Sequence, residues 1–124
     1  MGYLIDSNVI IDFCNGKLTS GARNLLQNIS PEISIITQIE LFGTKNIVRE
    51  EIELLEKFIE IATVHPVSID LVPATIQIRQ SAGIKLPDAI IAATAVVLGL
   101  VLVSRNISDF KKVEGLHIID PYVL

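Results

Sequence analysis

Leu86 to Asn106 read LPDAIIAATAVVLGLVLVSRN, and the way these residues must fold decides the architecture. Pro87 fits the first turn of a helix, where a backbone N–H is not needed, and Asp88 to Leu98 continue as an almost wholly apolar helix. Gly99 stands where a helix ends in the left-handed conformation. Leu100 to Val103 then form a continuously apolar strand, and the polar run Ser104-Arg105-Asn106 follows at once. A strand apolar on both faces is buried on both faces, which places it in a parallel sheet covered by helices. The run is also broken by Thr94 and Gly99 and falls short of the ~18 apolar residues of a membrane span.

The alternation extends in both directions. Tyr3-Leu4-Ile5 is a short apolar strand ending at Asp6, with Ser7-Asn8 as turn and N-cap and Val9 to Phe13 as a short helix stopped by Asn15-Gly16. Thr19 or Ser20 caps a helix to about Asn28. Pro31 closes a turn, Ile33 to Ile36 form a second buried strand, and Thr37 opens another helix. Arg49 to Ala62 place Ile52, Leu55, Phe58, Ile59 and Ala62 on one face, the spacing of an amphipathic helix. Thr63 to Val67 form a strand, and Ser68 caps a helix to about Ala82 in which Pro73 marks either a kink or the first turn. A short helix near Ile107 to Val113 and a strand His117 to Ile119 complete the chain. The expected fold is therefore α/β, a three-layer α/β/α sandwich with a mainly parallel central sheet, as one domain over residues 1–124.

Composition narrows the functional classes. The chain has 50% hydrophobic and 19% charged residues, which argues against intrinsic disorder and suits one core. Cys14 is the only cysteine, so no internal disulfide framework or cysteine-rich zinc site is available, and it reads as a small buried hydrophobe. The N-terminus MGYLIDSN has no basic segment ahead of its short apolar run, unlike a secretory signal, and a cytoplasmic location is expected. The formal charge of −4 lacks the basic surplus of a typical nucleic-acid binder.

Parallel sheets bind ligands beyond the carboxyl ends of their strands. That rule selects Asp6, Ser7 and Asn8 after the first strand, Thr37 to Glu40 after the second, and Ser104, Arg105 and Asn106 with Asp109 after the fourth, while Asp88 opens the helix feeding that strand. Each has a structural explanation. Glu40 lies three residues after Thr37, a capping-box spacing; Asp88 in a first turn gains a few tenths to ~1 kcal/mol from the helix dipole; Asn106 and Asp109 suit a similar cap; and Asp6 has no capping duty of its own. Together they form an acidic edge at which three or four carboxylates lie within a few ångströms. Such a cluster needs cations to persist at neutral pH, and oxygen-only donors suit Mg²⁺ or Mn²⁺ rather than zinc. His65 and His117 read as packed or surface side chains. The implied chemistry is metal-dependent phosphoryl cleavage, with one or two ions.

The motifs LIDSNVIID (Leu4 to Asp12), SIITQIELFGT (Ser34 to Thr44), KLPDAIIAATAVVLGLVLVSRNISDF (Lys85 to Phe110) and VEGLHIIDP (Val113 to Pro121) resemble the PIN-domain family, and within it the toxin ribonucleases of VapBC toxin–antitoxin pairs. The resemblance covers nearly the whole chain. It implies a metal-dependent endoribonuclease acting on RNA such as transfer or ribosomal RNA, with catalytic acids at Asp6, Glu40, Asp88 and Asp109 and metal ligands at Asp6, Glu40, Asp88 and Asn106. It also implies a homodimer neutralised by a cognate antitoxin. Asn106 stands where members often have aspartate and Ser104 where they have threonine, so either Asn106 or Asp109 serves as fourth ligand. Ser7, Asn8 and Ser104 are read as supports of the acids.

Setting aside those four acids leaves 10 acidic residues matched by 10 basic ones, so the remaining surface does not repel RNA. Lys45, Arg49, Lys85, Arg105, Lys111 and Lys112 are candidate phosphate contacts. With 5% aromatic residues and no tryptophan, base stacking is a weak source of specificity. Two other readings compete. A Mg²⁺-dependent phosphatase also begins from an aspartate after the first strand, but it needs a second acid where this chain has Asn8. A catalytically inactive PIN-like module would use the acids only to bind a basic peptide.

Overall fold

The structure, a computed structural model, describes residues 2–124. Five strands, β1 (Tyr3–Ile5), β2 (Pro31–Ser34), β3 (Thr63–His65), β4 (Val101–Val103) and β5 (Ile118–Ile119), form a sheet of order β3-β2-β1-β4-β5. Every pairing is parallel. The chain winds outward from β1 in one direction and then in the other, so β1 and β4 are neighbours at the centre, and their carboxyl ends open at the point where the winding reverses.

Alternation within the short strands builds the two cores. Leu4 and Leu102 face one side, against α5 (Val72–Ala82), α6 (Leu86–Leu98) and Phe110 of α7 (Ile107–Phe110). Ile5, Ile33 and Val103 face the other, against α1 (Ser7–Cys14), α2 (Ser20–Gln27), Leu41 of α3 (Ile35–Phe42), and Leu55 and Phe58 of α4 (Arg49–Ile61). The sandwich thus has helices on both faces, as expected. Among the described residues no helix is long and apolar enough to cross a membrane. α6 ends at Gly99 with φ of +67°, where a side chain would be strained.

Element boundaries differ from expectation where side chains cap helices. The second strand ends at Ser34, not Ile36, because the Ser34 Oγ accepts the Ile36 N–H at 3.1 Å and starts α3. Thr37 is consequently inside the helix, and the Thr37–Glu40 capping box does not form. α1 begins at Ser7, and its N-cap is Asp6 itself, whose carboxylate accepts the Ser7 N–H; the expectation that Asp6 caps nothing is corrected. The third strand stops at His65, α7 ends at Phe110, and β5 begins at Ile118. A 3₁₀ turn over Ile69–Leu71 leads into α5, and Pro73 lies in that helix's first turn rather than at a kink. Cys14 is half-buried rather than fully enclosed, and burial pushes its thiol pKa up, away from reactivity.

Candidate active site

Asp6 ends the central strand, where its N–H continues the ladder by donating to the Val103 carbonyl at 2.9 Å. The residue is only 5% exposed. The Ser7 N–H donates to Oδ1 at 2.9 Å, and Oδ2 accepts the Asn8 amide at 3.2 Å and the Ser104 hydroxyl at 2.7 Å. Burial pushes the Asp6 pKa up, and these three bonds pull it partly back. Ser104 is buried at the end of β4, and its Oγ also accepts the Asn106 N–H at 3.0 Å. One hydroxyl therefore fastens Asp6 to the loop that carries Asn106.

That loop ties Asn106 to Asp109. The Asn106 amide donates to Asp109 Oδ2 at 3.2 Å, its own Oδ1 accepts from Ser108 at 3.4 Å, and Lys112 lies 3.9 Å from Asp109 Oδ1. Although Asn106 is the N-cap residue of α7, its side chain makes no capping bond; it holds the Asp109 carboxylate instead. Asp88 opens α6, half-buried, and Glu40 lies one turn after Thr37 on α3, exposed. Burial, followed by the charges of Asp6 and Asp88, raises the Glu40 pKa. Burial, then Asp6 and Asp109, raises that of Asp88, with Lys85 opposing. The four acids thus share one field although they come from four separate elements.

The expected spacing of a few ångströms is not met: among the described residues no three His, Cys, Asp or Glu side chains are gathered into a ready metal site. The donor set nevertheless fits a hard divalent cation. It is oxygen-only and anionic, and among the described residues no ion pair neutralises Asp6, Glu40 or Asp88. Thr37 Oγ1, fully buried one helical turn before Glu40, has no hydrogen-bond partner among the described residues.

Of the candidate phosphate contacts, Lys45, Arg49, Lys85, Arg105, Lys111 and Lys112 are all exposed. Arg105 is also engaged within the protein, donating to Asp12 at 3.1 Å and lying 5.6 Å over the Tyr122 ring. His65 is bound to Glu32 at 2.7 Å across β2 and β3, and His117 is exposed, as the packed and surface readings expected. Sequence reasoning missed Thr37 as an unsatisfied hydroxyl and Asp12 and Tyr122 as partners of Arg105. The one available signal was that Asp12 lies a helical turn after Asn8.

A family model described as PIN domain matches residues 3–116. The chain belongs to the PIN-domain family. It is 26% identical over 129 residues, 96% of each chain, to Ribonuclease VapC1 of Rickettsia felis. Among solved structures, it matches a chain of a toxin–antitoxin complex from Klebsiella pneumoniae with 31% identity, 98% coverage of both chains and a TM-score of 0.80. A chain of DNA-bound VapBC from Salmonella typhimurium matches with 25% identity, 98% coverage of both and a TM-score of 0.85.

The raised pKa values have a consequence for stability of this PIN domain. Folded Asp6, Glu40 and Asp88 bind protons more tightly than in the unfolded chain, so they contribute stability below the ordinary carboxylate range that is lost as pH rises through their raised values. In EDTA the protein is expected to melt higher at mildly acidic pH than at pH 7. Asp88→Asn should melt a few degrees above wild type at pH 7 and lose that advantage in acid. Thermal melts across that pH range test this, and an Asp88→Asn variant no more stable than wild type at pH 7 would contradict it.

Proposed function

We propose that this chain is an endoribonuclease that uses Mg²⁺ or Mn²⁺ to hydrolyse RNA phosphodiester bonds, and that it acts as the toxin of a toxin–antitoxin pair. One observation carries the reading: four acids share a field at the carboxyl edge of the sheet, and no cation of the protein pairs with Asp6, Glu40 or Asp88 among the described residues. Asp6, Glu40, Asp88 and Asp109 would hold one or two ions, with Asn106 orienting Asp109 rather than serving as the charged fourth ligand. A bound hard cation supplies an activated water and stabilises the leaving oxygen.

The chain's own residues do the rest. Ser7, Asn8 and Ser104 fix both Asp6 oxygens, so the carboxylate meets substrate without reorganising. Lys45, Arg49, Lys85, Arg105 and Lys111 would contact the RNA backbone and counter the negative charge of the site. Transfer or ribosomal RNA is the proposed substrate, a cognate antitoxin and a second copy of this chain the proposed partners, and the cytoplasm the proposed location. The similar complexes described as toxin–antitoxin and VapBC support the antitoxin reading.

Asn8 weighs against a phosphatase, because it donates to Asp6 Oδ2 where a phosphatase of that type would need a second acid. The test is incubation of a total RNA pool and of a small phosphomonoester with Mg²⁺, Mn²⁺ or EDTA. Discrete RNA cuts with either metal, none in EDTA, and no phosphomonoester turnover are expected. Absence of metal-dependent RNA cleavage, together with tight binding of a basic peptide, would favour the inactive module.

A further inference from the structure

We propose that Asp12 and Tyr122 form a clamp that holds the Arg105 guanidinium at the rim of the acidic site as a contact for RNA phosphate, making the C-terminal turn part of the substrate-binding surface. The inference rests on the nuclease reading and gives a role to Asp12 and Tyr122, which that reading leaves without one.

The geometry begins at Asp12, whose Oδ2 accepts both the Tyr122 hydroxyl and the Arg105 Nη1. Burial, then the Asp12 carboxylate, pushes the Tyr122 pKa well up, so the phenol remains a donor. The Tyr122 ring lies under the guanidinium at 5.6 Å, which adds a cation–π contact to the ion pair. Arg105 is thus fixed on one face and along one edge. Its side chain is still 57% exposed, against 14% for Asp12, and among the described residues only one guanidinium nitrogen is used. Nε and Nη2 remain for a ligand oxygen, and the rotamer freedom an arginine usually loses on binding phosphate is already spent.

Two links tie the backbone that carries this guanidinium to the acidic site. The Arg105 N–H donates to Asn8 Oδ1 at 3.2 Å, and the Asn8 amide donates to Asp6 Oδ2 at 3.2 Å. The preceding residue, Ser104, donates to the same Asp6 oxygen. The clamp's other end is equally firm. Asp120 Oδ1 accepts the Tyr122 N–H at 3.0 Å, and the chain terminus packs so closely on α2 that a Cβ at Gly21 would lie 2.5 Å from the Leu124 carbonyl oxygen. Asp12 and Tyr122, the members that hold the arginine, are half-buried, and the guanidinium is the exposed member of the group.

Affinity for a fluorescently labelled transfer-RNA pool, measured in EDTA over a range of salt concentrations, tests the clamp. KM and kcat for cleavage of the same pool are measured in Mg²⁺ or Mn²⁺. Arg105→Gln is expected to weaken binding about fivefold and to lower the salt slope by about 0.7–0.9, one lost phosphate contact. KM should rise while kcat holds. Tyr122→Phe keeps the ring but loses the hydroxyl, and should weaken binding about two- to threefold in the presence of Arg105 and not at all in its absence. Asp12→Asn should behave as Tyr122→Phe does. An unchanged salt slope in Arg105→Gln, or an equal loss from Tyr122→Phe with and without Arg105, would overturn the clamp while leaving the nuclease reading intact. A wild-type chain that neither binds nor cuts RNA overturns both.

Discussion

Asp88→Asn is expected to lower the rate of the proposed RNA cleavage by roughly 10²–10⁴-fold, the range for loss of a group that acts directly on the reacting atoms, and to leave the fold intact. Asp88 lies half-buried in the first turn of α6, with Lys85 the one basic group that tempers its charge. Asparagine keeps the size of the side chain and removes the anion, so cation affinity falls while the helix start is preserved. Asp6→Asn should cost cleavage as much, but it carries a structural penalty that Asp88→Asn does not. Both Asp6 oxygens accept hydrogen bonds. An amide in that place points its NH₂ at another donor whichever way it is turned, leaving a buried mismatch worth about 1–3 kcal/mol. Initial rates at saturating metal, with thermal melts of each variant, separate the two effects. An Asp88→Asn protein that cuts within a fewfold of wild type would remove Asp88 from the site.

Ser104→Ala is expected to destabilise the protein by about 1.5–3 kcal/mol, the worth of a hydrogen bond to a charged group, or roughly 5–12 °C in Tm for a domain of this size. The hydroxyl is fully buried, donates to Asp6 Oδ2 at 2.7 Å and accepts the Asn106 N–H. Its removal leaves Asp6 in the same dry surroundings with one bond fewer, so the Asp6 pKa rises further and the acidic limb of the activity profile moves to higher pH. The stability deficit has a predictable sign with pH. It is largest at neutral pH, where Asp6 is charged, and shrinks as pH falls through the Asp6 titration, because the lost bond served the ionised form. Melts of wild type and Ser104→Ala from pH 7 downward measure it, and a deficit independent of pH would show that Ser104 acts by packing alone.

Much of the site was legible because a doubly wound sheet forces convergence. Asp6 and Ser104 each follow an apolar strand, and Asp88 begins the helix that feeds β4. Once those strands are parallel neighbours, these residues must meet at one edge. The helix starts were less legible. Ser34 and Asp6 are both polar residues after apolar runs, and either could end a strand or cap a helix. The backbone resolves that competition by which N–H groups each side chain satisfies, and hydrophobic periodicity does not register it.

The sequence by itself determined the α/β class, the parallel sheet and the residues available for chemistry, because continuous apolar strands have only one way to be buried on both faces. Tertiary structure alone decided how those residues are used. Asn106 turns to hold Asp109, Thr37 is buried with an unpartnered hydroxyl, and Tyr122 reaches back across 110 positions to Asp12 beside Arg105. Such pairings depend on side-chain direction and on contacts between distant segments. They exist only once the sheet has brought the two ends of the chain together.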